Sequence, residues 1–245
     1  FGVGQQYLVV AGLNLASLSV LLAIHDAGQA APTRRDPVLK SLLGYVRLLR
    51  ENRTLMALMF LASTTEIFGF THQTVLPAFA KDVLGVGALG LGLMMAFRAG
   101  GGLIGPLILA NLGNYRRRGL LMFIIAGMFG LGQMAFSLTP NLYVVLVVLA
   151  FINGCAFSVD TLYRTLMQEN VSNEQRGRAS GSWVLSIGTA PVGHLGIGGI
   201  ASALGAPAAL LINGSVLLFI AVTSAVGMPR MRRLEWRVLE RRAAL

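Results

Sequence analysis

Long hydrophobic runs alternate with short polar segments along the whole chain. Seven of these runs are long enough to cross a bilayer, which takes about 20 helical residues at 1.5 Å rise each. The seven runs cover residues 7–24, 54–80, 86–110, 119–138, 142–163, 181–204 and 207–228. Basic segments and tight turns containing proline or glycine alternate between them, and such turns end helices. The pattern predicts an all-α membrane protein with seven transmembrane helices.

Composition supports this class and excludes a soluble domain. Of the 245 residues, 55% are hydrophobic and only 12% are charged, whereas soluble domains have about 25% charged residues. The mean hydropathy is +0.69. A globular surface in water needs more polar cover than this chain supplies, whereas a surface in lipid needs almost none.

The positive charges lie almost entirely on one side of the predicted membrane. Of the 20 Lys and Arg residues, all but Lys81 and Arg98 fall in the segments 26–53, 116–118, 164–178 and 230–242. The positive-inside rule therefore places these segments and the C-terminus in the cytoplasm. The net charge of +10 is explained by topology and by anionic lipid head groups, and it does not indicate nucleic-acid binding.

The spans divide the chain into four predicted segments. Residues 1–25 form one helix, 26–53 a cytoplasmic linker, 54–228 a six-helix transmembrane bundle and 229–245 a basic cytoplasmic tail. Within the linker, the apolar positions of PVLKSLLGYVRLLREN recur every three or four residues from Pro37 onward, which is typical of an amphipathic helix on the membrane surface.

Motifs for enzymatic or cofactor chemistry are not supported. The segment GVGALG (85–90) has the spacing of a dinucleotide-binding loop, but no strand precedes it, and helix packing through Ala96, Gly100, Gly101 and Gly105 explains the small residues better. The three histidines lie on separate segments, so no metal site is predicted. The sequence predicts neither an enzyme nor a cofactor.

Ionisable and polar residues inside the spans are the candidate site. Charged groups in a membrane are costly and usually face a bundle interior or a water-filled cavity. The spans that carry them, the second, third, fifth and sixth, are predicted to line a cavity, and the polar-poor spans 119–138 and 207–228 to face lipid. The candidate residues of a substrate and proton pathway are Glu66, Arg98, Asp160, His194, Ser63, Gln73 and Asn153.

Arg98 is the isolated cation among these residues and needs a partner. Counted along the spans, Arg98 and Glu66 both lie roughly 18 Å deep, so we expect them to pair in at least one state. In this hypothesis Glu66 accepts the coupled proton and Arg98 attracts an anionic group of the substrate. The alternative is that Glu66 and Arg98 form a permanent structural salt bridge with no role in transport. His194 lies at a similar depth and can join them, and Asp160 is the second choice of partner for Arg98. Asp160 is also four residues from Arg164, a spacing at which the two can simply pair with each other.

Three local motifs carry a resemblance to a known family. They are GNYRRRG (113–119), QENVSNEQRGRASG (168–181) and GTAPVGHLGIGG (188–199), and they follow a long basic linker between a first span and six further spans. With these motifs the chain resembles the second half of a major facilitator superfamily transporter, and among its branches it is most similar to bacterial drug exporters and enterobactin exporters.

The resemblance implies a fold of twelve helices, of which this chain supplies helix 6 and the C-terminal six-helix bundle. It implies that the N-terminal half is missing, since the family's cavity lies between two six-helix halves. Cytoplasmic gating loops are implied at Arg116, Arg117, Arg118, Arg176 and Arg178. In the first loop Asn114 and Tyr115 stand where the full motif has an aspartate, so its gating salt bridge does not carry over.

The sequence as a whole favours a secondary transporter, a fragment of an antiporter in the cell inner membrane. We expect it to export a small amphipathic molecule such as a drug or siderophore in exchange for protons. Its expected partners are the substrate, protons, the lipid bilayer and the missing half. A structural membrane subunit and a membrane-embedded enzyme are the alternatives, and the residues do not identify the substrate.

Overall fold

The computed structural model describes residues 3–23, 49–112, 115, 117–171 and 175–234. Its contacts divide the chain into two units, residues 1–44 and 45–245. The first unit contains helix α1 (Val3–Ala23), an apolar helix with exposed side chains. Most of the linker with the predicted amphipathic helix, Arg116, and the tail beyond Leu234 lie outside the described residues.

The second unit is a bundle of helices. They are α2 (Arg53–Thr65), a π-helical turn (Glu66–Phe70), α3 (His72–Asp82), α4 (Ala88–Asn111), α5 (Arg118–Ser137), α6 (Leu142–Glu169), α7 (Arg176–Ile187), α8 (Ala190–Leu204), α9 (Ala206–Gly227) and the short α10 (Pro229–Arg232). They provide six apolar segments long enough to cross a membrane, and Tyr7–Ala23 of α1 is a shorter one. The described residues contain no β-strand, so the predicted all-α membrane fold is confirmed.

Side-chain caps and one glycine fix several of the helix ends. Asn52 accepts a hydrogen bond from the Leu55 N–H at 3.0 Å, and its amide donates to the Asn170 carbonyl at the end of α6. Asn141 caps the start of α6 in the same way. Between α8 and α9, Gly205 has a φ of +88°, a conformation that glycine adopts without strain. We call the end of the bundle where α2, α5 and α7 begin the basic end.

Two of the membrane spans are interrupted near their middle. The span 53–82 changes to a π-helical turn at Glu66, and the span 180–204 breaks at Gly188 and Thr189. Pro77 and Pro106 lie inside continuous helices, whereas Pro191 lies just after the break at Gly188 and Thr189. Proline therefore does not mark the first interruption.

Small residues bring α4 and α6 into direct backbone contact. A Cβ atom added at Gly101 would overlap the Ala150 carbonyl group, and one added at Gly105 would overlap the Gly154 carbonyl group. These two glycines confirm the predicted packing role of the glycine-rich segment, because such close approach requires small residues. Gly100 has open space around its Cα instead.

Gly105→Ala is expected to destabilise the protein by about 1–3 kcal/mol, because the added methyl group meets rigid backbone rather than a movable side chain. Thermal unfolding of the purified protein in detergent measures the effect. Gly100→Ala adds the same methyl group five positions earlier in the same helix, in open space, and is expected to leave the unfolding temperature unchanged or slightly higher. Equal effects of both substitutions would contradict the packing role.

The polar-poor spans 119–138 and 207–228 were predicted to face lipid. This prediction is wrong for one face of each helix, which is buried inside the bundle. These spans form α5 and α9, which pack together, and they bury Gln133 and Asn213 completely or nearly so. The spans with the smallest share of buried residues are instead α4, in which 11% of the most apolar stretch is buried, and the span 180–204, in which 17% is buried. A few polar side chains were enough to mark an inward face, because an amide in lipid without a partner is costly.

Candidate functional site

The π-helical turn creates backbone carbonyls that need partners from other helices. Gln133 on α5 donates hydrogen bonds to the carbonyls of Phe68 and Gly69, at 3.1 and 3.2 Å. The His72 Nδ1 atom lies 2.8 Å from the same Gly69 carbonyl. Because no water satisfies carbonyls in a membrane interior, these side chains make the interruption possible.

Further buried polar side chains surround this turn. Asn153 Nδ2 lies 3.4 Å from His72 Nε2, and Asn213 donates to the Thr71 hydroxyl at 3.1 Å. Gln133 Oε1 and Asn153 Oδ1 are buried without a hydrogen-bond partner. Asn153, a predicted pathway residue, thus lies in the closed interior of the bundle, beside a histidine that sequence reasoning had not selected.

Arg98 contacts Gln73 and not Glu66. Its Nη2 atom donates to the Gln73 Oε1 atom at 2.5 Å, and its Nε atom is buried without a partner. No described residue forms a hydrogen bond or ion pair with the Glu66 carboxylate. The predicted Glu66–Arg98 pair is therefore absent from this structure, although Gln73 was among the candidate residues.

The reason lies in the depth and direction of the two side chains. The helices α3 and α4 are joined by residues 83–87. Counted from that turn, Gln73 is 9 residues before Asp82, Arg98 is 10 after Ala88, and Glu66 is 16 before Asp82. At 1.5 Å per residue Glu66 lies about 9 Å farther along the bundle than Arg98. The π-helical turn also shifts the helix face between Glu66 and Gln73, because its hydrogen bonds enclose one extra residue.

His194 lies in the same half of the bundle as Arg98 but on another side of α3. Its Nδ1 atom lies 2.5 Å from the hydroxyl of Thr74. Because Thr74 follows Gln73 directly, Arg98 and His194 contact consecutive residues of α3, one from α4 and one from α8. Both side chains are half-buried. The candidate residues Arg98, Gln73 and His194 therefore form one polar level distant from the basic end.

A second polar level lies nearer the basic end, where α2, α6 and α7 meet. Asp160 and Arg164 form an ion pair at 3.1 Å, which confirms the local pairing suggested by their spacing. Trp183 on α7 donates its indole N–H to Asp160 at 2.6 Å, and the Arg164 guanidinium lies 3.4 Å from the centre of the Trp183 ring. We call Asp160, Arg164 and Trp183 the inner cluster.

Glu66 belongs to this level. The hydroxyl of Thr65, its neighbour in sequence, lies 3.0 Å from the hydroxyl of Tyr163, which is next to Arg164 and three residues after Asp160. Asp160 and Arg164 are close enough for their charges to act on the Glu66 carboxyl group. Half-buried Ser63 lies on the same helix, and its carbonyl accepts a 3.5 Å hydrogen bond from Thr189 at the break before α8.

At the basic end, an ion pair links two of the loops predicted to gate the cavity. Arg118, at the start of α5, contacts Glu169, at the end of α6, at 2.9 Å. The loop that contains Arg118 lacks the aspartate of the full motif, but it still has an acidic contact, because Glu169 at the end of α6 pairs with Arg118. Arg117 and Arg176 are exposed, and the side chain of Arg178 lies outside the described residues.

Sequence reasoning missed Trp183, Gln133 and His72 as parts of these contacts. Trp183 is uncharged, so its position inside a membrane span did not indicate a polar site. Its indole N–H takes part in one only because the fold places it next to Asp160. For Gln133 the available signal was its position as an amide in an otherwise apolar span. Within the described ranges, no group of three or more His, Cys, Asp or Glu side chains is arranged to hold a metal ion.

Comparison with known families agrees with this architecture. The family model described as Major Facilitator Superfamily matches residues 4–192 and, in a second and overlapping match, residues 114–244. No curated protein matches the chain significantly. No solved structure matches it significantly either.

Proposed function

Because the chain belongs to the major facilitator superfamily and is thus a multi-pass membrane transporter, we propose that it exports a small amphipathic molecule in exchange for protons. In this proposal α1 corresponds to helix 6 of a twelve-helix transporter, and α2 to α9 form its C-terminal bundle. The N-terminal half would supply the opposite wall of the cavity. Drugs and siderophores remain the proposed substrates, in line with the drug and enterobactin exporters that the sequence resembles.

The observation that supports proton coupling most directly is the position of the Glu66 carboxyl group and its lack of a hydrogen-bond donor within the described part of the chain. Its carboxyl group lies inside a membrane span, at the first residue of a π-helical turn, and accepts no hydrogen bond from the described residues. A charged group in this position is costly, so it exists at lower cost when protonated. Turns of this type are often found at functional sites.

A transport cycle follows from the neighbours of Glu66. When the level of the inner cluster is open to the basic end, substrate enters beside Asp160 and Arg164 and the Glu66 proton leaves. When the opposite side opens, substrate leaves and Glu66 takes up a proton. The interruptions at Glu66 and at Gly188 lie where α2 contacts the start of α8, which suits them as points of bending.

The orientation of the protein follows from the positive-inside rule. We place the basic end and the C-terminus in the cytoplasm of a cell whose inner membrane holds the protein. The Arg118–Glu169 pair then joins two cytoplasmic loops and closes when the cavity faces outward. Labelling of a cysteine introduced at Lys81 by a membrane-impermeant reagent from outside tests this orientation.

The proposed function is tested by imposing a pH gradient on inside-out membrane vesicles that contain the protein. Accumulation of the fluorescent amphiphile ethidium, and separately of the neutral dye Nile red, is measured with and without the gradient. We expect gradient-dependent accumulation of at least one dye, together with dissipation of the gradient when that dye is added. Equal accumulation after an ionophore has collapsed the gradient would contradict proton exchange.

A further inference from the structure

The inner cluster has the chemistry of a site for an organic cation, and an arginine of the protein occupies it. The flat guanidinium of Arg164 stacks on the Trp183 ring and pairs with Asp160. An aromatic face beside a carboxylate is the combination that binds ammonium and other organic cations. The indole N–H of Trp183 holds the Asp160 carboxylate in place.

Arg164 is the more exposed of the two charged members of the inner cluster. Its side chain is 49% exposed, compared with 14% for Asp160. It borders a groove of about 220 Å³ that is also lined by Gln168, Ser180 and Val184. A long side chain that reaches its partners from the edge of a groove can leave them without disturbing the helices, because its stem has free rotations.

The charges of this level leave room for one more cation. Glu66 and Asp160 contribute two negative charges when ionised, and Arg164 contributes one positive charge, so the sum is −1. One proton on Glu66 neutralises it, and so does one bound monocation, because the Arg164 guanidinium that the ligand displaces stays attached to α6 at the edge of the same groove. An anionic ligand would raise the negative charge in a region of low dielectric, where the cost is high.

We infer that the Trp183 ring and the Asp160 carboxylate form a binding site for a flat, hydrophobic organic monocation, and that Arg164 fills this site until the ligand displaces it. The inference rests on the proposed function, of which it specifies the substrate class. Exchange of one such cation for one proton conserves the charge at Glu66 and Asp160. It differs from the expectation that Arg98 attracts an anionic substrate.

The test is equilibrium binding to the purified protein in lipid nanodiscs, without any gradient. A rhodamine ester and fluorescein share the same xanthene ring system, but the first is a cation and the second an anion. Fluorescence anisotropy, corrected with protein-free nanodiscs, gives the affinity for each. We expect the rhodamine cation to bind at least about tenfold more tightly than fluorescein.

Arg164→Gln is the decisive variant because the expected change is a gain. Removal of the internal competitor should tighten rhodamine binding by roughly three- to tenfold, since the free site no longer has to be vacated first. Trp183→Leu and Asp160→Asn should each weaken it by roughly tenfold. Arg230→Gln removes an exposed arginine of α10 and should change nothing. A misfolded variant cannot produce the gain expected for Arg164→Gln.

The inference is overturned if Arg164→Gln weakens rhodamine binding, if it tightens fluorescein binding instead, or if Trp183→Leu has no effect. Binding and coupling can fail separately. Rhodamine binding with the expected variant profile but without proton-driven transport would contradict only the proposed function. Proton-driven transport of another amphiphile without preferential rhodamine binding would contradict only the inference.

Discussion

Glu66→Gln is expected to abolish gradient-driven accumulation in inside-out vesicles, down to the level of vesicles without the protein. Glutamine has the shape of the protonated side chain but cannot release a proton, so the cycle loses its coupling step. Because the amide carries no charge, it removes the cost of an ionised group in the span. The variant should therefore fold and express at least as well as the unmodified protein.

Two variants separate loss of coupling from other effects. Glu66→Asp retains a titratable carboxyl group and should retain part of the gradient-driven transport. Asp82→Asn removes an exposed acid at the end of α3 and should leave transport intact. Substrate exchange across vesicles with no pH gradient should survive in Glu66→Gln. Full gradient-driven transport by Glu66→Gln would show that Glu66 is not the proton carrier.

Gln133→Leu is expected to destabilise the protein by about 1–3 kcal/mol. Leucine fits a similar volume, but it leaves the Phe68 carbonyl without the donor from α5. The Gly69 carbonyl loses the same donor but keeps its contact with His72. Each buried polar group that loses its partner costs about 1–3 kcal/mol. Unfolding of the purified protein in detergent measures the loss.

Gln168→Leu is the matched control, because Gln168 is exposed and its amide makes only a 3.4 Å contact with Ser180. We expect it to change stability by less than about 0.5 kcal/mol. If the two substitutions destabilise equally, or if Gln133→Leu is harmless, then Gln133 does not support the π-helical turn.

The positions of the helices were legible in the sequence because each span needs about 20 apolar residues to cross a bilayer. The same one-dimensional pattern marked Gly101 and Gly105 as packing residues, and the four-residue spacing of Asp160 and Arg164 as a local pair. These features depend on neighbours within one helix or on composition. The family resemblance rested on equally local motifs, and the family match confirms it at the level of the major facilitator superfamily.

The partners across helices were decided only by the tertiary structure. Counting residues from span ends placed Glu66 beside Arg98, because it assumed helices of equal length and regular twist. The π-helical turn and the 30-residue span 53–82 instead bring Arg98 to Gln73 and leave Glu66 in the level of the inner cluster. The burial of Gln133 and the stacking of Arg164 on Trp183 likewise depend on which faces of separate helices meet, and hydrophobicity along one chain does not encode that choice.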